Sequence, residues 1–326
     1  MNQTELQKLL PSVVHIVLQA GEIIKEHWTR KIKIEHKGPV DLVTETDLAV
    51  EAFLARELYK LRPDAAFMGE ESSAQQAGFQ SQPNPQAQPN VQSRPDQLPE
   101  QTPQKITKQQ DIPADALFWV VDPLDGTTNY AHRLPFVATS VGLCKGNQVL
   151  LGVVNCPILH ECFWAGQGLG AFLGSDLALA NFSSKPEIAP QDPGRYFNSA
   201  QRLATSNANT LAASLLATGF PYSQQGRLPT ILKRLESVLP RTQGLRRCGA
   251  AAIDLAYVAA GRFDAYVESW LAPWDSAAGW LLVEEAGGKV SSIENRPYNI
   301  FAESILASNG LVHEKLSQLL TGCKKN

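Results

Sequence analysis

The chain has 326 residues, 44% of them hydrophobic, with 29 basic against 32 acidic side chains and a formal net charge of -3. That length holds one large domain or two of ordinary size, and the missing basic excess argues against a nucleic-acid or anionic-membrane partner. No apolar run reaches the ~20 residues of a membrane span. The N-terminus, Met1 to Glu5, lacks the pattern of a signal peptide, and the odd set of five cysteines contains no C-x-x-C pair. Together these place the chain in a reducing compartment, the cytoplasm, without a disulfide framework or a zinc site.

Taken in chain order, residues 4–28 read as an amphipathic helix, because Leu6, Leu9, Leu10, Val13, Val17, Ala20 and Ile24 recur at helical spacing. Thr4 with Gln7 offers a capping box, and Pro11 either kinks this helix or opens its main body. A second helix is predicted from Asp47 to Leu61, ending before Pro63. Residues 75–110 contain 12 Gln and 6 Pro and almost no large apolar side chains. Such a stretch cannot bury enough surface to offset its ordering entropy, so 73–115 is read as a disordered insertion. Its prolines offer a partner motif, against the plainer reading of an inert solvated loop.

Leu117 to Val121 is a predicted strand that delivers Asp122 at its end. Residues 137–144 and 149–155 form a hairpin joined at Lys145-Gly146-Asn147-Gln148, and His160 to Ala165 adds a strand. Residues 208–217, 228–239 and 249–260 are predicted helical. A strand follows at Asp264 to Glu268, a helix near Asp275, a strand at Ile305 to Ser308 and a helix over 310–320. Helices alternate with strands, hairpins among them, which indicates layered α and β structure rather than a purely parallel sheet.

The segment most informative about chemistry is Asp122-Pro123-Leu124-Asp125-Gly126-Thr127-Thr128. Two carboxylates about 4 Å apart repel by roughly 4 kcal/mol at an effective dielectric near 20, and a fold seldom accepts that without a cation between them. Hard oxygen ligands suit Mg²⁺. A helix opening at Gly126 or Thr127 would turn its free N–H groups and positive end toward the site, which suits a phosphate. Gly69-Glu70-Glu71-Ser72, Asp41 to Asp47 and Trp274-Asp275 carry further acids. Alone, each of these reads equally as a surface pair or a helix cap.

With these segments in order, the chain resembles the inositol monophosphatase family of metal-dependent, lithium-sensitive phosphatases. The matching stretches are Pro39 to Asp47, Gly69 to Ser72, Trp119 to Tyr130 with Pro135-Phe136, Gly168 to Phe172, and Arg247 to Gly288. The resemblance implies alternating α/β/α/β/α layers of the inositol monophosphatase and fructose-1,6-bisphosphatase type. It also implies an N-terminal lobe over 1–198, a C-terminal lobe over 199–326 and a homodimer. Two or three Mg²⁺ are implied per site. Glu70, Asp122 and the Leu124 carbonyl would hold the first; Asp122, Asp125 and Asp275 the second; and Glu70 would share in a third, weaker site. Thr127, oriented by Asp47, would help Glu70 position and deprotonate the attacking water. Gly126, Thr127 and Thr128 would grip the phosphate, while Gly249, Ala250, Ala251 and Glu268 would contact the alcohol. Glu71 and Lys37 would be auxiliary.

The implied activity is Mg²⁺-dependent hydrolysis of a small polyol phosphate, inositol monophosphate first, by a metal-activated water. The alternatives keep the chemistry on fructose 1,6-bisphosphate, histidinol phosphate, galactose 1-phosphate or 3'-phosphoadenosine 5'-phosphate. A non-catalytic regulator is a further reading. Ala250 departs from the animal enzymes, which carry a hydroxyl residue after the glycine, and this leaves the alcohol open. Arg246 and Arg247 could serve a second phosphate or simply be solvated. His132 is read as structural, and Cys248 as a buried thiol.

Overall fold

The computed structural model describes residues 1–30, 34–36, 42–76, 112, 115–175, 200–221 and 226–322. Lys37, Asp41 and nearly all of the predicted insertion lie outside the described residues. At the front edge of that insertion, residues 73–76 belong to a short helix rather than to the insertion.

Helix α1 (Gln3–Trp28) runs unbroken through Pro11, and its capping box is made by Asn2 and Glu5 rather than by Thr4 and Gln7. Asn2 Oδ1 accepts from the Glu5 N–H, and Glu5 Oε2 accepts from the Asn2 N–H, both at 2.9 Å. A two-stranded ribbon, β1 (Ile34–His36) and β2 (Leu42–Thr44), leads into α2 (Glu45–Leu61), whose N-cap is Thr44. There follow β3 (Ala66–Gly69), α3 (Glu70–Gln76), β4 (Leu117–Asp125), α4 (Thr127–Ala131) and the meander β5 (Ala138–Lys145), β6 (Gln148–Cys156), β7 (Glu161–Gly166), β8 (Gly170–Ser175) and β9 (Gln201–Arg202). These strands make one seven-stranded sheet in the order β3-β4-β5-β6-β7-β8-β9, antiparallel except for the parallel β3–β4 pair.

The remaining strands are β10 (Leu215–Thr218), β11 (Gly244–Arg246), β12 (Ala265–Ser269), β13 (Lys289–Ser291) and β14 (Ser304–Ser308). They form a five-stranded sheet in the order β11-β10-β12-β14-β13. Between them come α5 (Leu228–Val238), α6 (Ala251–Ala259), α7 (Pro273–Glu285) and finally α8 (His313–Gly322). The predicted helix over 208–217 is instead a single 3-10 turn at Leu211–Ala213 followed by β10. Its Leu and Ala run suits either period, and the parallel pairing of β10 with both β11 and β12 decides for strand.

Period-two alternation sets the layers. Trp119 and Val121 face α1 and α2, packing with Val17, Leu54 and Leu58. Phe118 and Val120 face the other way, onto α6 and α7. Across those two helices lie Ala217, Tyr266, Ile305 and Ala307 of the second sheet, while Leu216, Ala265, Val267 and Leu306 pack outward against Val238 of α5 and Leu316 and Leu320 of α8. The order is helix, sheet, helix, sheet, helix, the layered α/β architecture that the resemblance implied.

The small residues after Asp275 have a packing reason. A Cβ placed at Gly152 would lie 2.8 Å from Ala278 Cα, and one at Gly279 would lie 2.5 Å from Leu255 Cβ. Helix α7 therefore sits against β5, β6 and α6 at a separation that larger residues would prevent. That close seat brings the N-terminus of α7, with Asp275, to the end of β4.

Candidate active site

The site forms where β4, the N-terminal ends of α3, α4, α6 and α7, and the C-terminal end of β12 converge. Strand β4 breaks register between Asp122 and Asp125, and Gly126 follows in the left-handed conformation, with φ +88°. A Cβ at Gly126 would lie 2.7 Å from the Phe136 carbonyl oxygen, so both conformation and space require glycine there.

Three acids have one oxygen fixed by a backbone N–H. Asp122 Oδ1 accepts from Leu124 at 3.0 Å, Asp125 Oδ2 from Ala252 at 2.7 Å, and Asp275 Oδ2 from Ala272 at 2.7 Å. Asp125 thereby binds the first turn of α6 from the far side of the site. Asp122 and Asp125 are buried, and Asp275 is half-buried. Burial pushes the Asp122 carboxyl well above the usual range, and Glu70, Asp125, Asp275 and Asp47 push it further. Burial and the charges of Asp125 and Glu70 likewise raise Asp275. Asp125 is pushed up to about 7 by burial, against the pull of the α6 N–H groups. Glu70, at the first position of α3, lies close enough to load all three.

Among the described residues no three of these side chains close into a preformed coordination cage. The donor chemistry nevertheless fits a hard divalent cation. The groups are all carboxylate oxygens, held in low dielectric, with no lysine or arginine among the groups that act most strongly on Asp122 or Asp125.

Asp47 is fully buried on α2. Its Oδ2 accepts from the Thr44 N–H at 2.8 Å and from the Thr44 hydroxyl. Its Oδ1 lies 3.1 Å from Thr127 Oγ1, and the Leu124 carbonyl lies 3.2 Å from that same hydroxyl. A hydroxyl has one proton to donate, so these two acceptors compete for it.

The other half of the site is a cavity of about 80 Å³ bordered by Asp125, Asp275, Glu268, Arg247, Phe220 and Asp254. Tyr266 donates its hydroxyl to Glu268 Oε2, and Glu268 is pushed up to about 7 by burial against that bond and the charge of Arg247. Gly219 makes room for this carboxylate, since a Cβ there would lie 2.0 Å from Oε2. Gly249 has φ +86°, and Ala250, 2% exposed, precedes α6 as its N-cap without a capping side chain. Ala251 opens α6, and Thr128 is half-buried on α4. Glu71 is buried on α3.

Three residues escaped the sequence reading. Asn129 donates from Nδ2 to the Phe136 and Cys248 carbonyls, both at 2.8 Å, and so ties the turn after β4 to the loop before α6. Asp254 is 1% exposed, with Oδ1 lacking a hydrogen-bond partner. Burial holds its pKa well above the ordinary range against a hydrogen bond with Cys248, and Asp125 and Glu268 add to the rise. Glu51 accepts from the backbone of α3. Asn129 sits inside the informative turn, but its reach to Cys248 spans 119 positions, which no local pattern signals. Of the residues weighed for other roles, Cys248 is half-buried with its thiol pushed up to about 12, and His132 is exposed.

Comparison with known proteins gives one consistent outcome. Residues 5–325 match the sequence profile described as the Inositol monophosphatase family. A Synechocystis protein named inositol-1-monophosphatase is 35% identical over 318 residues, 97% of this chain and 90% of that one. The Pseudomonas aeruginosa protein named Nus factor SuhB is 33% identical over 308 residues, 93% of this chain and 92% of that one. Among solved structures, the inositol monophosphatase from Anabaena superposes with a TM-score of 0.71 at 30% identity, covering 98% of this chain and 97% of that one.

Proposed function

Since the chain belongs to the inositol monophosphatase family and is thus a phosphoric monoester hydrolase of a metal-dependent kind, we propose that it hydrolyses inositol monophosphate to inositol and phosphate with Mg²⁺. The carrying observation is the Thr127–Asp47 hydrogen bond set beside the buried Asp122 and Asp125. Glu70, Asp122 and the Leu124 carbonyl would hold one Mg²⁺, and Asp122, Asp125 and Asp275 a second. Glu70 would also contribute to a third. Bound there, the cations supply charge neutralisation at the phosphoryl group and lower the pKa of the attacking water.

The chain's own groups do the rest. With a cation on the Leu124 carbonyl, Asp47 would be left as the acceptor of the Thr127 proton, and the hydroxyl lone pairs would then face the water. Glu70 shares that water and takes its proton. The N–H groups of Gly126, Thr127 and Thr128, at the start of α4, orient the phosphate. Glu268, fixed by Tyr266, accepts hydrogen bonds from neighbouring hydroxyls of the polyol, with Gly249, Ala250 and Ala251 shaping the wall beside it. A regulatory reading, which the name of the Pseudomonas relative brings to mind, is disfavoured because Glu70, Asp122, Asp125, Thr127 and Asp275 are all present.

The test is phosphate release with Mg²⁺ from a panel of inositol 1-phosphate, fructose 1,6-bisphosphate, histidinol phosphate, galactose 1-phosphate and 3'-phosphoadenosine 5'-phosphate. The highest kcat/KM is expected on inositol 1-phosphate. A higher value on another member reassigns the substrate. Inhibition by Li⁺, a cytoplasmic location and a homodimer complete the proposal.

A further inference from the structure

Helix α3 starts at Glu70, directly after Gly69. The first N–H groups of any helix lack acceptors within it, and an Asp, Asn, Ser or Thr at the N-cap ordinarily serves those at the second and third positions. Gly69 has no side chain to do so. Glu51 of α2 does it from 20 positions away: its Oε2 accepts from the Glu71 N–H at 2.8 Å, and its Oε1 accepts from the Ser72 N–H at 2.8 Å. A Cβ at Gly69 would lie 2.5 Å from Glu51 Oε2, 2.7 Å from its Cδ and 2.6 Å from the Phe67 ring, so the glycine admits both the carboxylate and the ring.

Glu51 stands one helical turn after Asp47, and both are buried on the same face of α2. Like charges four positions apart work against a helix. What the pair achieves is registration: Asp47 fixes the Thr127 hydroxyl, and Glu51 fixes the backbone that carries Glu70. One rigid element sets the two groups assigned to the attacking water. We propose that Glu51 is a positioning residue for the hydrolytic reaction, holding Glu70 in place for its cation from the second turn of α2. This rests on the reading of Glu70 as a metal ligand.

The experiment is calorimetric Mg²⁺ titration of the full chain, alongside steady-state kinetics on inositol 1-phosphate. It compares the wild type with Glu51→Gln, Glu70→Gln and Gly69→Ala. Glutamine keeps one acceptor but sets an amide against the other N–H. Glu51→Gln is expected to weaken Mg²⁺ binding about tenfold or more, as loss of an outer partner of a metal ligand does, and to lower kcat with KM unchanged. Gly69→Ala, whose Cβ would meet the Phe67 ring as well as Glu51, is expected to move both readouts the same way by less, and it carries the test if Glu51→Gln does not fold. If Glu70→Gln weakens Mg²⁺ binding while Glu51→Gln and Gly69→Ala leave it at the wild-type value, the proposal is overturned and the assignment of Glu70 stands. If Glu70→Gln itself leaves binding unchanged, the assignment falls and this proposal falls with it. A raised KM at unchanged kcat also overturns it, since Glu51 would then act on ester binding.

Discussion

Asp122, Asp125 and Asp275 each have an oxygen tied to a backbone N–H, whereas on the cavity that Asp125 and Asp275 border Asp254 keeps an oxygen without a partner and Ala250 offers no polar side chain. In the acidic half the backbone holds one oxygen of each of these three carboxylates. Strand, helix starts and glycines fix each carboxylate, at a Coulombic cost that a bound cation or a proton relieves. The half proposed to take the alcohol has Glu268, anchored by Tyr266, and a wall that mixes Gly249, Ala250 and Ala251 with Arg247, Phe220 and Leu271. On the proposed reading, the contrast places phosphate-ester chemistry on groups fixed by the backbone and the choice of alcohol on a few side chains.

The largest expected effect is at the acidic half. Asp122→Asn is predicted to lower kcat/KM by about 10³-fold or more, the size of several kcal/mol of charge stabilisation. Its melting temperature without added metal should stay level or rise, because a carboxylate repelled by four others is gone. A large fall in that melting temperature would break the contrast. Thr127→Ala is predicted to cost about 10²-fold in kcat, with Mg²⁺ binding retained in calorimetry; loss of binding would move Thr127 from water handling to metal holding.

At the alcohol half the effects shrink. Glu268→Gln is predicted to raise KM for inositol 1-phosphate by about tenfold, and to leave KM unchanged for a phosphate ester whose alcohol lacks neighbouring hydroxyls. Equal change on both esters would show Glu268 acting on the phosphate side. Ala250→Ser is predicted to shift KM by about threefold, the size of one neutral hydrogen bond, and an unchanged KM would remove Ala250 from the specificity wall.

The smallest expected effect on activity lies far from the site and serves as a control. His313 is buried with both ring nitrogens bonded to serine hydroxyls, Ser291 at 2.8 Å and Ser308 at 2.9 Å. Burial, with Lys289 nearby, lowers its pKa from 6.5 to about 4. Above pH 6.5 both folded and unfolded chains carry it neutral. Between pH 6.5 and 4 the unfolded chain takes up a proton that the folded chain refuses, so stability is lost as pH is lowered through this window. The difference between wild type and His313→Gln in urea unfolding at pH 7 and pH 5 isolates this from the carboxylates. An equal pH dependence in the two proteins would remove His313 from the account.

Much of this was legible in the sequence where the signal is local. The turn after β4 revealed itself because Asp122, Asp125, Gly126 and Thr127 sit within six positions and each has a separate physical reason to be there. Layered α and β structure followed from the alternation of predicted helices with strands and hairpins, and the order of the layers from the family resemblance. What stayed hidden was non-local. Residues 211–218 have no intrinsic strand signal beyond their parallel neighbours, which lie over 20 positions away. The service of Glu51 to α3 and of Asn129 to Cys248 depends on tertiary contact alone. Within the family-like stretch Arg247 to Gly288, Ala277, Ala278 and Gly279 act by letting α7 approach β5, β6 and α6, a packing role that spacing alone did not reveal.

The most direct test of the central claim is phosphate release from inositol 1-phosphate by the wild-type chain, measured with Mg²⁺ and again with a chelator in excess. Release that depends on Mg²⁺, disappears with the chelator and returns on adding the cation back is the predicted result. Equal release under both conditions would contradict a site in which Glu70, Asp122, Asp125 and Asp275 act by holding cations.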